Sequence, residues 1–156
     1  MTAITQAAYL IFRRSPRIVG QENRPRFWRL PAPAPPPLPE RCRQGIGLFH
    51  DGQYFQAHEV LEDVWREAAP ENRKFFQGLI QIAVALHHHS RGNLAGCRSL
   101  LARAARNLAL FPDKHFGLEL AELIASLHAW QLALDNGWPV PPPPRIRFNH
   151  ASSSES

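Results

Sequence analysis

Between about residues 41 and 137, apolar residues recur at intervals of three and four, and no window alternates with a period of two. That pattern predicts helices and no strands. A short helix is expected from about Arg41 to His50, ended by Asp51-Gly52, and a second from about Tyr54 to Ala68. Pro70 stands near the start of a third, where its missing N–H does no harm; that helix continues from about Glu71 to Arg91 and stops at Gly92. Asn93 caps a fourth, with Leu94, Cys97, Leu101, Ala104, Ala105 and Leu108 at helical period. Phe111-Pro112 breaks it, and Asp113 can cap a fifth. The fifth carries Leu120, Leu123, Ile124, Leu127 and Leu134 to about Asp135, before Gly137. The expected fold class is all-α: a compact bundle of four to five helices with short turns and extended Pro-rich flanks at both ends.

The flanks differ sharply in composition from this middle. Residues 1–40 form an Arg/Pro-rich arm, with six prolines between Pro31 and Pro39; such a stretch is neither helix nor central strand and is expected to run extended. Residues 41–137 are the helical domain. Residues 138–156 open on Trp138-Pro139-Val140 and four consecutive prolines, then end in a Ser-rich tail expected to be disordered. Phe27 and Trp28 before one Pro run, and Trp138 before the other, suggest flanks that pack on the domain. A Pro-rich ligand for an aromatic-lined partner is the alternative.

Two polar lines interrupt the apolar pattern. His58, Glu62 and Trp65 stand at i, i+4 and i+7, hence on one helical face, together with Leu61 and Phe55, and that face is expected to turn toward the core. The third helix is apolar almost all round, GLIQIAVAL from Gly78 to Leu86, so it is expected to be the central helix. Its polar positions Gln77, Gln81 and His88 fall within a narrow arc. A short turn near Ala69 makes the second and third helices antiparallel neighbours. Folding there places Glu62 opposite Gln77, His58 opposite Gln81, and His88 level with Asp51. A histidine and a carboxylate four apart can share one divalent metal ion, and zinc, manganese and iron all accept imidazole and carboxylate. The expected ligands are His58, Glu62 and His88, or another histidine of the His87-His88-His89 run. Trp65, Gln77 and Gln81 are the groups expected to orient them from behind. A metal with an open position can activate water, so His58 and Glu62 are also the candidate catalytic pair. Glu59 points to the polar face. The competing reading is a structural hydrogen-bond network of His58, Glu62, Gln77 and Gln81 in a non-catalytic interaction module.

Charge and cysteines narrow the setting. The net charge of +5 is uneven: residues 1–43 carry +6, residues 44–138 carry −2 and residues 139–156 carry +1. The helical domain therefore has no basic stripe, and nucleic acid is not its expected partner. No apolar run reaches membrane-spanning length. No basic residue precedes the short N-terminal apolar run, so a secretory signal is not expected; the acid-free, Arg-containing residues 1–21 weakly resemble an organelle transit peptide. Cys42 and Cys97 lack metal-ligand spacing and read as free thiols, which predicts a cytoplasmic protein. The expected partners are a small-molecule substrate, if the site is catalytic, and a second copy of the chain.

The run FHDGQYFQAHEVLEDVWRE, followed by RKFFQGLIQIAVALHHHSRGNLAGCRSLLARA, resembles the bacterial and archaeal family called domain of unknown function 309. The resemblance covers about residues 41 to 110. It rests on the HxxxExxW spacing, the QGLIQ segment and the Gly-Asn after the histidines. It implies a helical fold and a motif, HxxxExx(W/Y), associated with metal binding, here His58, Glu62 and Trp65. It further implies a predicted metal-dependent hydrolase, without a substrate. Members usually show Asn before the glycine-containing turn, where this chain has His50-Asp51.

Overall fold

A computed structural model describes residues 37–149, and the Arg/Pro-rich arm before Pro37 and the Ser-rich tail lie outside them. Five α-helices carry the fold: α1 (Glu40–His50), α2 (Tyr54–Glu67), α3 (Arg73–Ser90), α4 (Leu94–Leu108) and α5 (Leu120–Asn136). A 3-10 turn, Pro70–Asn72, precedes α3, with the proline at its first position as its missing donor allows. Asn93 caps α4 through its side-chain oxygen, which accepts from the Gly96 N–H at 2.9 Å.

Each helix packs chiefly on the next in sequence, so the bundle is a series from α1 to α5. Two glycines set how closely the helices approach. A Cβ at Gly45 of α1 would stand 2.8 Å from Leu61 of α2, and one at Gly78 of α3 would stand 2.8 Å from Leu108 of α4. Between these seams lies one continuous core. Phe75, Leu79, Ile82 and Ala83 of α3 are fully buried in it, with Leu61 from α2, Leu101 from α4 and Leu127 from α5. No described helix is long and apolar enough to cross a membrane.

Two features depart from the sequence expectation. A small antiparallel hairpin, β1 (Lys114–His115) and β2 (Leu118–Glu119), stands where a helix start at Asp113 is expected. Its turn residues Phe116 and Gly117 both have positive φ, 50° and 76°. Strands of two residues are too short to show a two-residue period. The Asp113 carbonyl instead accepts from the Leu120 N–H, at 2.7 Å, and so marks the true start of α5.

The second departure concerns how the C-terminal flank packs. Trp138, expected to anchor it, is 57% exposed. Ile146 is the anchor, at 2% exposure. The flank crosses from the last helix to the first. Trp130 Nε1 of α5 donates to the Pro142 carbonyl at 3.0 Å, and the Ile146 N–H donates to His50 Nε2 of α1 at 3.1 Å. Phe148 bridges to Leu118 of the hairpin and lies under the Arg43 guanidinium of α1.

Candidate functional site

Helix α2 buries Ala57, Leu61 and Val64. Its next line round, Phe55, His58, Glu62 and Trp65, lies at the rim of the buried face. The His58 and Glu62 side chains are 23% and 38% exposed, and Phe55 is 47% exposed. The expectation that this pair points into the core is therefore corrected: the smaller and aliphatic residues of α2 take the core, and His58 and Glu62 stay within reach of water, where a carboxylate is far less costly.

His58 and Glu62 meet. His58 Nε2 lies 3.1 Å from Glu62 Oε1, and His58 Nδ1 lies 3.2 Å from the Phe55 carbonyl oxygen. Both ring nitrogens thus face oxygen acceptors. A neutral imidazole has one N–H, so it can satisfy only one of them. A cation in place of the proton on Nε2 would leave an Nδ1–H free to donate to the Phe55 carbonyl. The other Glu62 oxygen is 3.6 Å from Arg66 Nη2, and Arg66 also reaches Asp63, which Arg41 of α1 binds at 2.8 Å.

The facing helix contributes differently from the sequence expectation. Phe55 contacts the His87 ring at 5.6 Å between centroids, and Arg73 stands over Trp65 at 5.6 Å. So α2 and α3 are antiparallel neighbours as expected. Gln81, however, turns to the other seam, where its side-chain oxygen accepts from Asn107 Nδ2 of α4 at 2.9 Å. Gln77 is half-buried and makes no hydrogen bond to His58 or Glu62 among the described residues. The four-residue network of His58, Glu62, Gln77 and Gln81 is not formed.

The three consecutive histidines separate onto three neighbours, as 100° steps require. His87 meets Phe55, and His89 packs edge-on against Trp130 of α5 at 5.0 Å. His88 Nδ1 accepts from Asn93 Nδ2 at 3.2 Å, tying the end of α3 to the cap of α4. His88 is thus not brought to His58 and Glu62: its ring is held at the α3–α4 corner. The Trp65 indole N–H is buried without a partner and does not orient Glu62.

The fit to a metal ion is therefore partial. Among the described residues, no three His, Cys, Asp or Glu side chains converge. His58 and Glu62 by themselves suit one ion. Their 3.1 Å separation lets one ion touch both at bond lengths of about 2.0–2.2 Å. The Phe55 carbonyl fixes the imidazole by its far nitrogen, as carbonyls commonly do behind metal-bound histidines. The cysteines play no part: both are buried, and burial pushes the Cys42 thiol up to about 12 and that of Cys97 up to about 11.

One neighbour of the pair, Arg66, was missed in the sequence, although it stands four residues after Glu62, the spacing of a helical ion pair.

Residues 42–100 match the family model described as domain of unknown function (DUF309). The chain is also 50% identical, over 56 residues, to "Uncharacterized protein YpuF" of Bacillus subtilis (strain 168), a stretch covering 35% of this chain. It is 31% identical over 111 residues, 70% of its length, to an "Uncharacterized protein" of Aquifex aeolicus (strain VF5). In both cases the chain spans 32% of the relative's length. The family match contains the whole of α2 and α3, and so the His58–Glu62 pair.

Proposed function

We propose that the helical region is a domain of this family that binds a divalent cation through His58 and Glu62, with water or a small-molecule ligand filling the other positions. One observation carries the reading: both nitrogens of the His58 ring face oxygen acceptors, with Glu62 across Nε2. A cation on Nε2 resolves that conflict while the Nδ1–H bond to Phe55 holds the ring. Zinc, manganese and iron suit the donors. When bound, such an ion supplies Lewis acidity and an activated water, which is what a hydrolase of small substrates requires. Position at the rim of the core, beside exposed Phe55, leaves access for a ligand from solution.

A second reading is favoured by the Arg66 contact and by the lack of a third converging ligand among the described residues. There the pair is a plain ion pair on the surface of an interaction module. Metal analysis of protein purified without chelator, followed by calorimetric titration with zinc and manganese, separates the two. Binding that is lost in both His58→Ala and Glu62→Gln supports the cation site. Wild-type protein that takes up neither ion leaves only the ion pair.

A further inference from the structure

The bundle is a series, and its two ends are joined by a segment held through an unprotonated histidine. The Ile146 N–H donates to His50 Nε2 at 3.1 Å across 96 residues of sequence. A charged imidazole has no lone pair to accept that bond. The same segment is sewn to the hairpin: the Glu119 N–H donates to the Arg147 carbonyl at 2.9 Å, and the Asn149 N–H donates to the Gly117 carbonyl at 2.6 Å. The hairpin in turn is seated by a second imidazole. His115 lies among Phe75, Phe111 and Phe116, with ring centroids 4.7 to 4.9 Å away, and its Nε2 faces Asn72 Oδ1 at 3.4 Å. Both histidines thus hold one unit, the hairpin and the segment from Pro142 to Asn149, against α1 on one side and α3 on the other.

We propose that this unit is a proton-released strap: at neutral pH it ties α1 to α5, and protonation of His50 and His115 loosens it from the bundle while the helices stay folded.

The surroundings oppose charge at both sites. Around His50 stand Arg145 of the strap, Asp51 at the end of α1 and, beyond Phe49, Tyr54 of α2. Burial first, then the Arg145 guanidinium, hold the His50 imidazole below its ordinary value, against a smaller opposite pull from Asp51. Burial alone lowers His115. The charged groups near it are Lys114 and Glu119 of the hairpin, which face each other at 3.8 Å. Glu122 of α5 faces the strap through Arg147, also at 3.8 Å. Neither imidazole is in an ion pair among the described residues. Each is harder to protonate folded than unfolded, so the released form takes up protons first. The strap is at full strength above about pH 6.5 and loses it as pH falls through the lowered folded values.

Amide exchange measured by NMR on the full chain tests this, with rates corrected for their intrinsic pH dependence. The reporters are the Ile146 amide and the Trp130 indole N–H, which binds the Pro142 carbonyl. Leu79 and Ile82 in α3 report global opening. From about pH 7.5 to about pH 5, protection at Ile146 and at the Trp130 indole should fall about tenfold while Leu79 and Ile82 hold. The His50 ring titration, followed in the same samples, should share its midpoint with that fall. His50→Gln, which keeps a neutral acceptor, combined with His115→Phe should make protection at both reporters independent of pH. Unchanged protection at Ile146, an equal loss at Leu79, a His50 midpoint away from the transition, or a fall that persists in the double variant each overturns the strap.

Discussion

Helix α3 has two seams, and they solve the burial of polar groups in opposite ways. Against α4 it approaches closely: Gly78 leaves no room for a methyl group beside Leu108, and the polar contact one turn away is a neutral amide pair, Gln81 with Asn107. Against α2 it leaves a wetter margin, where the His58–Glu62 pair sits at the rim, with Arg66 and half-exposed Phe55 beside it. A neutral amide pair can satisfy itself inside a tight interface, whereas an ionised carboxylate needs water or a cation. That contrast leaves the α2 seam the wetter of the two and the α4 seam the drier.

The comparison breaks most readily at the tight seam. Leu108→Ala should destabilise the fold by about 2–5 kcal/mol in denaturant titration, since Leu108 is fully buried. Gly78→Ala should cost about 1–3 kcal/mol through overpacking, and in the double variant the two effects should sum to less than their total, because the truncated leucine makes room. Asn107→Leu should cost about 0.5–1.5 kcal/mol by removing the donor to the part-buried Gln81 amide oxygen.

The rim should respond far less in stability. His58→Ala and Glu62→Gln should each change it by no more than about 1 kcal/mol, as partly exposed ion pairs do. Both should nonetheless abolish divalent-cation uptake, and Arg66→Ala should strengthen it by freeing the second Glu62 oxygen. A loss at the rim as large as that of Leu108→Ala would show that the pair is structural. Smallest of all, Trp65→Phe should leave stability level or raise it by up to about 1 kcal/mol in the same titration, because it removes a buried N–H that has no acceptor.

Much of this was legible in the sequence, for reasons that particular residues make plain. The pairing of His58 with Glu62 follows from four-residue spacing on any helix, and the Asn93 cap follows from chemistry within one turn. Gln81 was misplaced because helical spacing fixes which residues share a face but not which neighbour that face meets. Gln81 and His58 lie at matching heights, yet α3 is rotated to seat Gly78 on Leu108, and Gln81 goes with it. The His50–Ile146 bond had no sequence signal, since its partners are 96 residues apart.

The sequence by itself determined the helices, most of their ends, the antiparallel turn between α2 and α3, and the adjacency of His58 and Glu62. Those features depend on dihedral preference, capping and a 100° step, all of which act within a few residues. Only the tertiary structure decided how far each helix rotates, which histidine of three faces the rim, how wet the carboxylate stays, and that Ile146 rather than Trp138 anchors the last segment. Those outcomes follow from close packing of side chains distant along the chain, where one methyl group at Gly78 or Gly45 outweighs the local polar pattern.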